Sequence, residues 1–178
     1  MQRRRKFGFD RTQCDCELCR VPCRHIPGFL TIGDLEHLCP PDREMLVWAE
    51  EHLRAITEQP FPNLIPAQKA NGHCHWLSRG RCAVHAHSPY GCAFFDAHLT
   101  KAEIEPRLAA AIKAMKADAA RKGLYYRVWM HLQAKGLVVA SGDYAAMLRE
   151  QKQIRRRSAT DRQTGSGRKA TSKSRRGR

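Results

Sequence analysis

The chain contains no long apolar run. No stretch is long enough to cross a bilayer, and the N-terminal segment, with Arg3, Arg4, Arg5 and Lys6 and no hydrophobic stretch after them, is unlike a secretory signal. The expected location is therefore the cytoplasm, where thiols stay reduced, and no membrane partner is expected. No phosphate-cradling loop, GxSxG elbow or dinucleotide glycine motif is present, which removes the commonest nucleotide and acyl-transfer chemistries. No pair of carboxylates stands out as an acid–base couple. Aromatics are only 7% of the residues. Trp76, Phe94 and Phe95 sit beside cysteines, where packing around a metal is expected, and Tyr125, Tyr126 and Trp129 recur at helical spacing as core. That leaves no platform for base stacking.

What the chain does have is cysteine and positive charge. The formal charge is +15, but it is concentrated at the ends. Residues 155–178 hold ten Lys or Arg against one Asp, residues 3–6 are all cationic, and the body between them is nearly neutral. Any nucleic-acid contact would fall to these arms and be non-specific, salt-sensitive and borne mainly by residues 155–178. From Ser158 onward the composition has almost nothing apolar and predicts a disordered, solubilising tail.

Six of the eight cysteines form two clusters, Cys16-x2-Cys19-x3-Cys23 and Cys74-x7-Cys82-x9-Cys92. Thiolates two or three residues apart can converge on one metal ion. Six exceed the four ligands of a structural zinc, so either two stand outside the shell or the cofactor is polynuclear, as in an Fe–S cluster. The order of spacings is the reverse of the C-x3-C-x2-C of radical SAM enzymes. The ferredoxin run is also absent, since Arg24 follows Cys23. Cys14 is a further candidate ligand, although its position two residues before Cys16 makes joint ligation awkward. Cys39 reads as a small buried hydrophobe. His73, His75, His85 and His87 flank the second cluster and His25 follows the first, with His85 the strongest imidazole candidate. His37, His52, His98 and His131 read as helix-face residues.

The pattern predicts a mainly α-helical small domain with an irregular Cys-rich half. Pro22 and Pro27 oppose a regular helix around the first cluster. A helix is expected from Pro41 to about Glu58, followed by a connector over residues 60–73. A hairpin turning at Gly80 would bring Cys74 and Cys82 together. Thr100 and Glu103 form a capping box, with a break at Pro106. Helices ending at Gly123 and Gly136 and a last one capped by Asp143 complete the reading. The expected divisions are a metal-chelating unit over 12–98, a helical extension over 99–157 and a basic tail over 158–178.

Together the clusters resemble the YkgJ-type cysteine-cluster family, a zinc- or iron-chelating domain with a CxxCxxCC signature. Cys16, Cys19 and Cys23 take the first, second and last cysteines of that signature, with Pro22 in place of the third. Cys74, Leu77, Gly80, Cys82, Val84, Pro89 and Cys92 keep the register of the family's second half, while His85 stands where Tyr is usual and Ser88 where Arg is usual. The resemblance covers residues 12–98 and implies metal chelation by the cysteines. Some related proteins are described as Fe–S oxidoreductases or protein lysine methylases, so it also leaves open an iron-dependent oxidoreductase or protein-modifying transferase.

Overall fold

The computed structural model describes residues 5–12, 14–140 and 142–166, with side chains as far as residue 160. A two-stranded ribbon, β1 (Arg5–Lys6) and β2 (Phe9–Asp10), opens the chain, followed by two single-turn helices, α1 (Glu17–Arg20) and α2 (Pro22–His25). Next come α3 (Ile32–Leu38), α4 (Met45–His52), β3 (Leu53–Ile56) and β4 (Asn63–Pro66). The hairpin β5 (Leu77–Ser78) and β6 (Arg81–Cys82) leads through a 3-10 turn at His85–His87 into α5 (Tyr90–Ala93). The long helices α6 (Lys101–Ala120) and α7 (Leu124–Ala134), the strand β7 (Val138–Val139) and α8 (Tyr144–Ser166) follow. The fold is mainly α, as the sequence predicts.

One apolar core draws on both sides of residue 98. Leu30, Leu35, Trp48, Leu53, Leu64, Tyr90 and Phe94 meet Ala111, Met115, Tyr125, Val128 and Leu132. Tyr125 is the polar anchor of this core: its hydroxyl donates to Leu30 O at 3.0 Å and accepts from Leu64 N at 2.9 Å. Those are two backbone groups that no strand or helix satisfies at that point. A smaller apolar contact of Leu18, Val21 and Ile154 packs α1 and the turn after it against α8.

The expected helix to Glu58 is corrected in two places. It begins after Glu44, whose carboxylate accepts from Leu46 N and Val47 N, and it ends at His52. Residues 53–56 then form the central strand of a three-stranded sheet, antiparallel to β4 and parallel to β7. Leu53, Ala55 and Ile56 are buried there, and β4 occupies what was read as connector. Tertiary pairing overrides a helical periodicity that Leu53 and Ile56 happened to continue. Pro106 does not break α6. It is solvent-exposed in the second turn, so the one carbonyl it leaves unpaired is open to water, and the predicted Thr100–Glu103 capping box holds the first turn. Asp143 caps α8 by accepting from Ala146 N at 2.7 Å. The helix then continues through Ser158 to Ser166, where disorder was expected; residues 167–178 of the basic tail lie outside the described residues. Among the described residues no helix is long and apolar enough to cross a membrane.

Candidate metal centre

The cysteines are brought together by three backbone junctions. Thr12 fixes the approach to Cys14, donating to Ala93 O from both N and Oγ1 at 2.7 and 2.9 Å. Asp34 ties the start of α3 to that of α5: one carboxylate oxygen accepts from Thr31 N, Thr31 Oγ1 and Tyr90 N, and the other from Lys6. Gly28 and Gly91 let two backbones touch. A Cβ at Gly28 would lie 2.5 Å from both Cys92 N and Cys92 Sγ, and one at Gly91 would lie 2.3 Å from Phe29 N. Cys92 reaches its position only because Gly28 has no side chain.

Cys14, Cys16, Cys19 and His98 form one group in which a donor atom from each lies within 4.8 Å of all the others. Local backbone explains the convergence. Residues 14–16 are non-helical, and in an extended chain side chains i and i+2 share a side; Cys16 then precedes α1, so Cys19 three residues on meets it across a helical turn. The two-residue spacing that looked awkward is thus what extended backbone supplies. His98 Nε2 lies 3.3 Å from Cys16 Sγ. The imidazole comes from a turn, not a helix face, with His98 N held by Asp96 Oδ1 at 2.8 Å. The signal for it was present: a capping box at Thr100 places residue 98 before the helix, free to turn back.

The group is electrostatically uneven. Burial pushes the Cys16 thiol up, but the Cys19 backbone N–H, the His98 ring and the neighbouring thiols outweigh it, and its pKa falls to about 6. Cys19 moves the other way, raised by burial and by the Cys14 and Cys16 thiols. A metal ion bound by such thiols displaces the protons they still carry. Cys16 and His98 also line an open cavity of about 570 Å³ with Glu17, Leu99, Arg155 and Ser158.

The remaining predicted ligands, Cys23, Cys74, Cys82 and Cys92, stand outside that group. Cys23 sits in α2, and its carbonyl accepts from Cys74 N at 2.7 Å. The predicted hairpin is present, turning on Arg79 and Gly80, both at positive φ as a two-residue turn of its twist requires. Its register pairs Cys82 with Leu77, while Leu77 N donates to Cys74 O at 2.9 Å. Cys23, Cys82 and Cys92 line a narrow cavity of about 50 Å³ together with Cys14, Cys19, Asp15, Asp96 and His85. Burial, followed by the charges of Cys74 and Cys82, pushes Cys23 up to about 12, and Cys74 rises to about 11 by burial, with Cys82 adding to it. Cys92 is held well above its usual range by burial and then by Cys23, Cys74 and Cys82. Cys82 is raised as well, chiefly by burial.

His85 is exposed, lines this cavity and stands outside the Cys14 group. The other histidines have partners of their own. His75 Nε2 is 3.1 Å from His52 Nδ1, His87 Nδ1 is 3.0 Å from His37 Nε2, and His25 and His131 contact Glu150 and Glu50 at 2.7 Å. The Cys39 thiol faces Pro40 O and Arg43 O, away from both groups. All eight cysteines are free thiols. Comparison with known proteins finds no matching family model, curated protein or solved structure.

Proposed function

We propose that the protein is a metal-chelating protein whose Cys14, Cys16, Cys19 and His98 bind one zinc or iron ion; its motif spacing resembles the YkgJ-type cysteine-cluster proteins, and of these four residues Cys16 and Cys19 occupy positions of that signature. The observation that carries this reading is the mutual proximity of four soft or borderline donors. A tetrahedral zinc with ordinary bond lengths places its sulfurs about 3.8 Å apart and a sulfur and nitrogen about 3.6 Å apart. Donor atoms already within 4.8 Å, with the Cys16–His98 pair at 3.3 Å, close onto such an ion by shifts of about 1 Å. Three thiolates and one imidazole suit zinc and also iron. A bound ion would join the segment before α1 to the turn before α6, and much of its role is to hold the fold and present a surface.

The open cavity beside Cys16 and His98, with Arg155 on its wall, favours a second reading: an iron site at which an oxidoreductase or protein-modifying transferase acts. Metal and acid-labile sulfide analysis of protein purified without oxygen separates the two. Stoichiometric zinc in a colourless protein supports the structural reading, and iron with sulfide supports the second. Cys16→Ser and His98→Ala should each lower the bound metal by about one equivalent. Unchanged metal content in both variants would overturn the assignment of these four ligands.

A further inference from the structure

We propose that the cleft between the N-terminal ribbon and α3 is a binding site for a small phosphate, either the inorganic ion or a phosphate monoester. The proposal neither uses nor requires the metal centre, and the cleft shares no residue with the Cys14, Cys16, Cys19 and His98 group. The cavity measures about 320 Å³, at the lower end of the range of small-ligand pockets, about 300–1,000 Å³. Its cations come from separate segments: Arg5 and Lys6 from β1, Arg11 from the stretch after β2, and His37 from α3. Composition alone reads Arg5 and Lys6 as part of a charged arm. The ribbon instead lays Lys6 against Asp34 of α3, at 2.8 Å.

The charges of the cleft are positioned and unequal. Among the described lining residues Asp34 is the one carboxylate, and three cations against it leave a formal surplus of two positive charges before His37 is counted. Both Asp34 oxygens are turned to protein donors: one accepts from Thr31 N, Thr31 Oγ1 and Tyr90 N, the other from Lys6 Nζ. An acid saturated in this way is part of the wall and not a ligand for a cation. Lys6 is held further by the rings of Phe7 and Tyr90, each centred 5.8 Å from its Nζ. Arg11 is clamped by the turn at residues 85–88, donating to His85 O, Ala86 O and, at 3.0 Å, Ser88 Oγ. Those three acceptors are neutral, so they orient the guanidinium without cancelling its charge. Arg5 meets Asp10 at 3.3 Å in an exposed pair, which holds it only weakly.

A doubly charged tetrahedral anion matches this wall. Guanidinium groups donate to phosphate oxygens in pairs, a lysine ammonium adds a point charge, and cations already ordered lose little freedom on binding. A monocarboxylate would neutralise only half of the surplus. Phe94 and Ala93, both buried, supply apolar lining for the organic part of a monoester.

The test is calorimetric titration of the full chain at low salt with inorganic phosphate, phenyl phosphate and acetate, in wild type and in Lys6→Gln, Arg5→Gln and Lys101→Gln variants. Wild type should bind phosphate saturably and acetate about tenfold more weakly. Lys6→Gln should weaken phosphate binding about tenfold and Arg5→Gln about threefold, because the first removes an ordered charged donor and the second an exposed one. Lys101→Gln, an exposed cation on α6 outside the cleft, should change nothing. Phenyl phosphate binding tighter than the free ion identifies a monoester as the ligand, and binding no tighter identifies inorganic phosphate. No saturation by about 10 mM phosphate, acetate binding as tightly as phosphate, or equal losses in Lys6→Gln and Lys101→Gln would overturn the proposal. Should Lys6→Gln fail to fold, because it strips Asp34 of its ammonium, amide NMR spectra of the isotope-labelled wild-type chain decide the matter. Saturable phosphate-induced shifts at Gly33, His37 and Ala93 support the site, and shifts elsewhere only, or none, overturn it.

Discussion

Replacing Gly28 by Ala tests the junction that seats Cys92. The new Cβ would sit 2.4 Å from Gly91 C and 2.5 Å from Cys92 N and Sγ, where carbon contacts normally settle at about 3.5–4.0 Å. More than 1 Å must therefore be found, and two of the three obstructing atoms are backbone. That backbone has little freedom, because Gly91 N donates to Phe29 O at 2.8 Å and Tyr90 N donates to Asp34 at 2.9 Å. Overpacking of a close-packed site costs about 1–3 kcal/mol, and a clash against anchored backbone belongs at the upper end, about 3 kcal/mol. For a chain of this length that corresponds to a fall in Tm of about 6–12 °C. Thermal unfolding followed by circular dichroism measures it. Gly33→Ala is the control: its Cβ meets nothing nearer than Lys6 Nζ at 3.7 Å, and within α3 alanine should be neutral or stabilising by about 0.5–1 kcal/mol. A Gly28→Ala protein that melts with the wild type would refute the reasoning.

Two further outcomes are expected. Tyr125→Phe removes a hydroxyl that satisfies both Leu30 O and Leu64 N in a fully buried setting, so denaturant unfolding should show a loss of about 2–4 kcal/mol, with the m-value unchanged. Glu150 on α8 is raised by burial but lowered more by Arg24 and His25, so its folded pKa lies below its usual value. The stabilisation it provides is complete above the unfolded carboxylate range, about pH 4.3, and is lost as pH falls through the lower folded value. The stability difference between wild type and Glu150→Gln should be about 1–2 kcal/mol near neutrality and should vanish at low pH; a difference that persists there would sink the ion-pair account.

Much of the local structure could be read from single residues. The capping box at Thr100, the cap at Asp143, the glycine stop at Gly136 and the Gly80 turn all appear where short-range chemistry puts them, because each depends on residues within a few positions. Strand β3 did not appear, since Leu53–Ile56 is a strand only by virtue of partners at residues 63–66 and 138–139. The persistence of α8 past Ser158 was equally hidden by a composition that favours solvent over packing.

The cysteine spacing pointed to metal ligation with cysteines as candidate donors, because thiolate chemistry and loop-rich flanks are properties of the chain itself; it did not point to His98. Which of the candidate donors come together was decided by the tertiary structure alone. Cys16 and Cys23 belong to one sequence motif, yet the former meets His98 and the latter meets Cys74. Residues seven apart part company when the chain turns between them at Val21, and residues eighty-two apart meet because Thr12 and Gly28 are both locked onto α5 and its flank. Spacing fixes which donors can share an ion locally; only the packing of distant backbone selects which of them do.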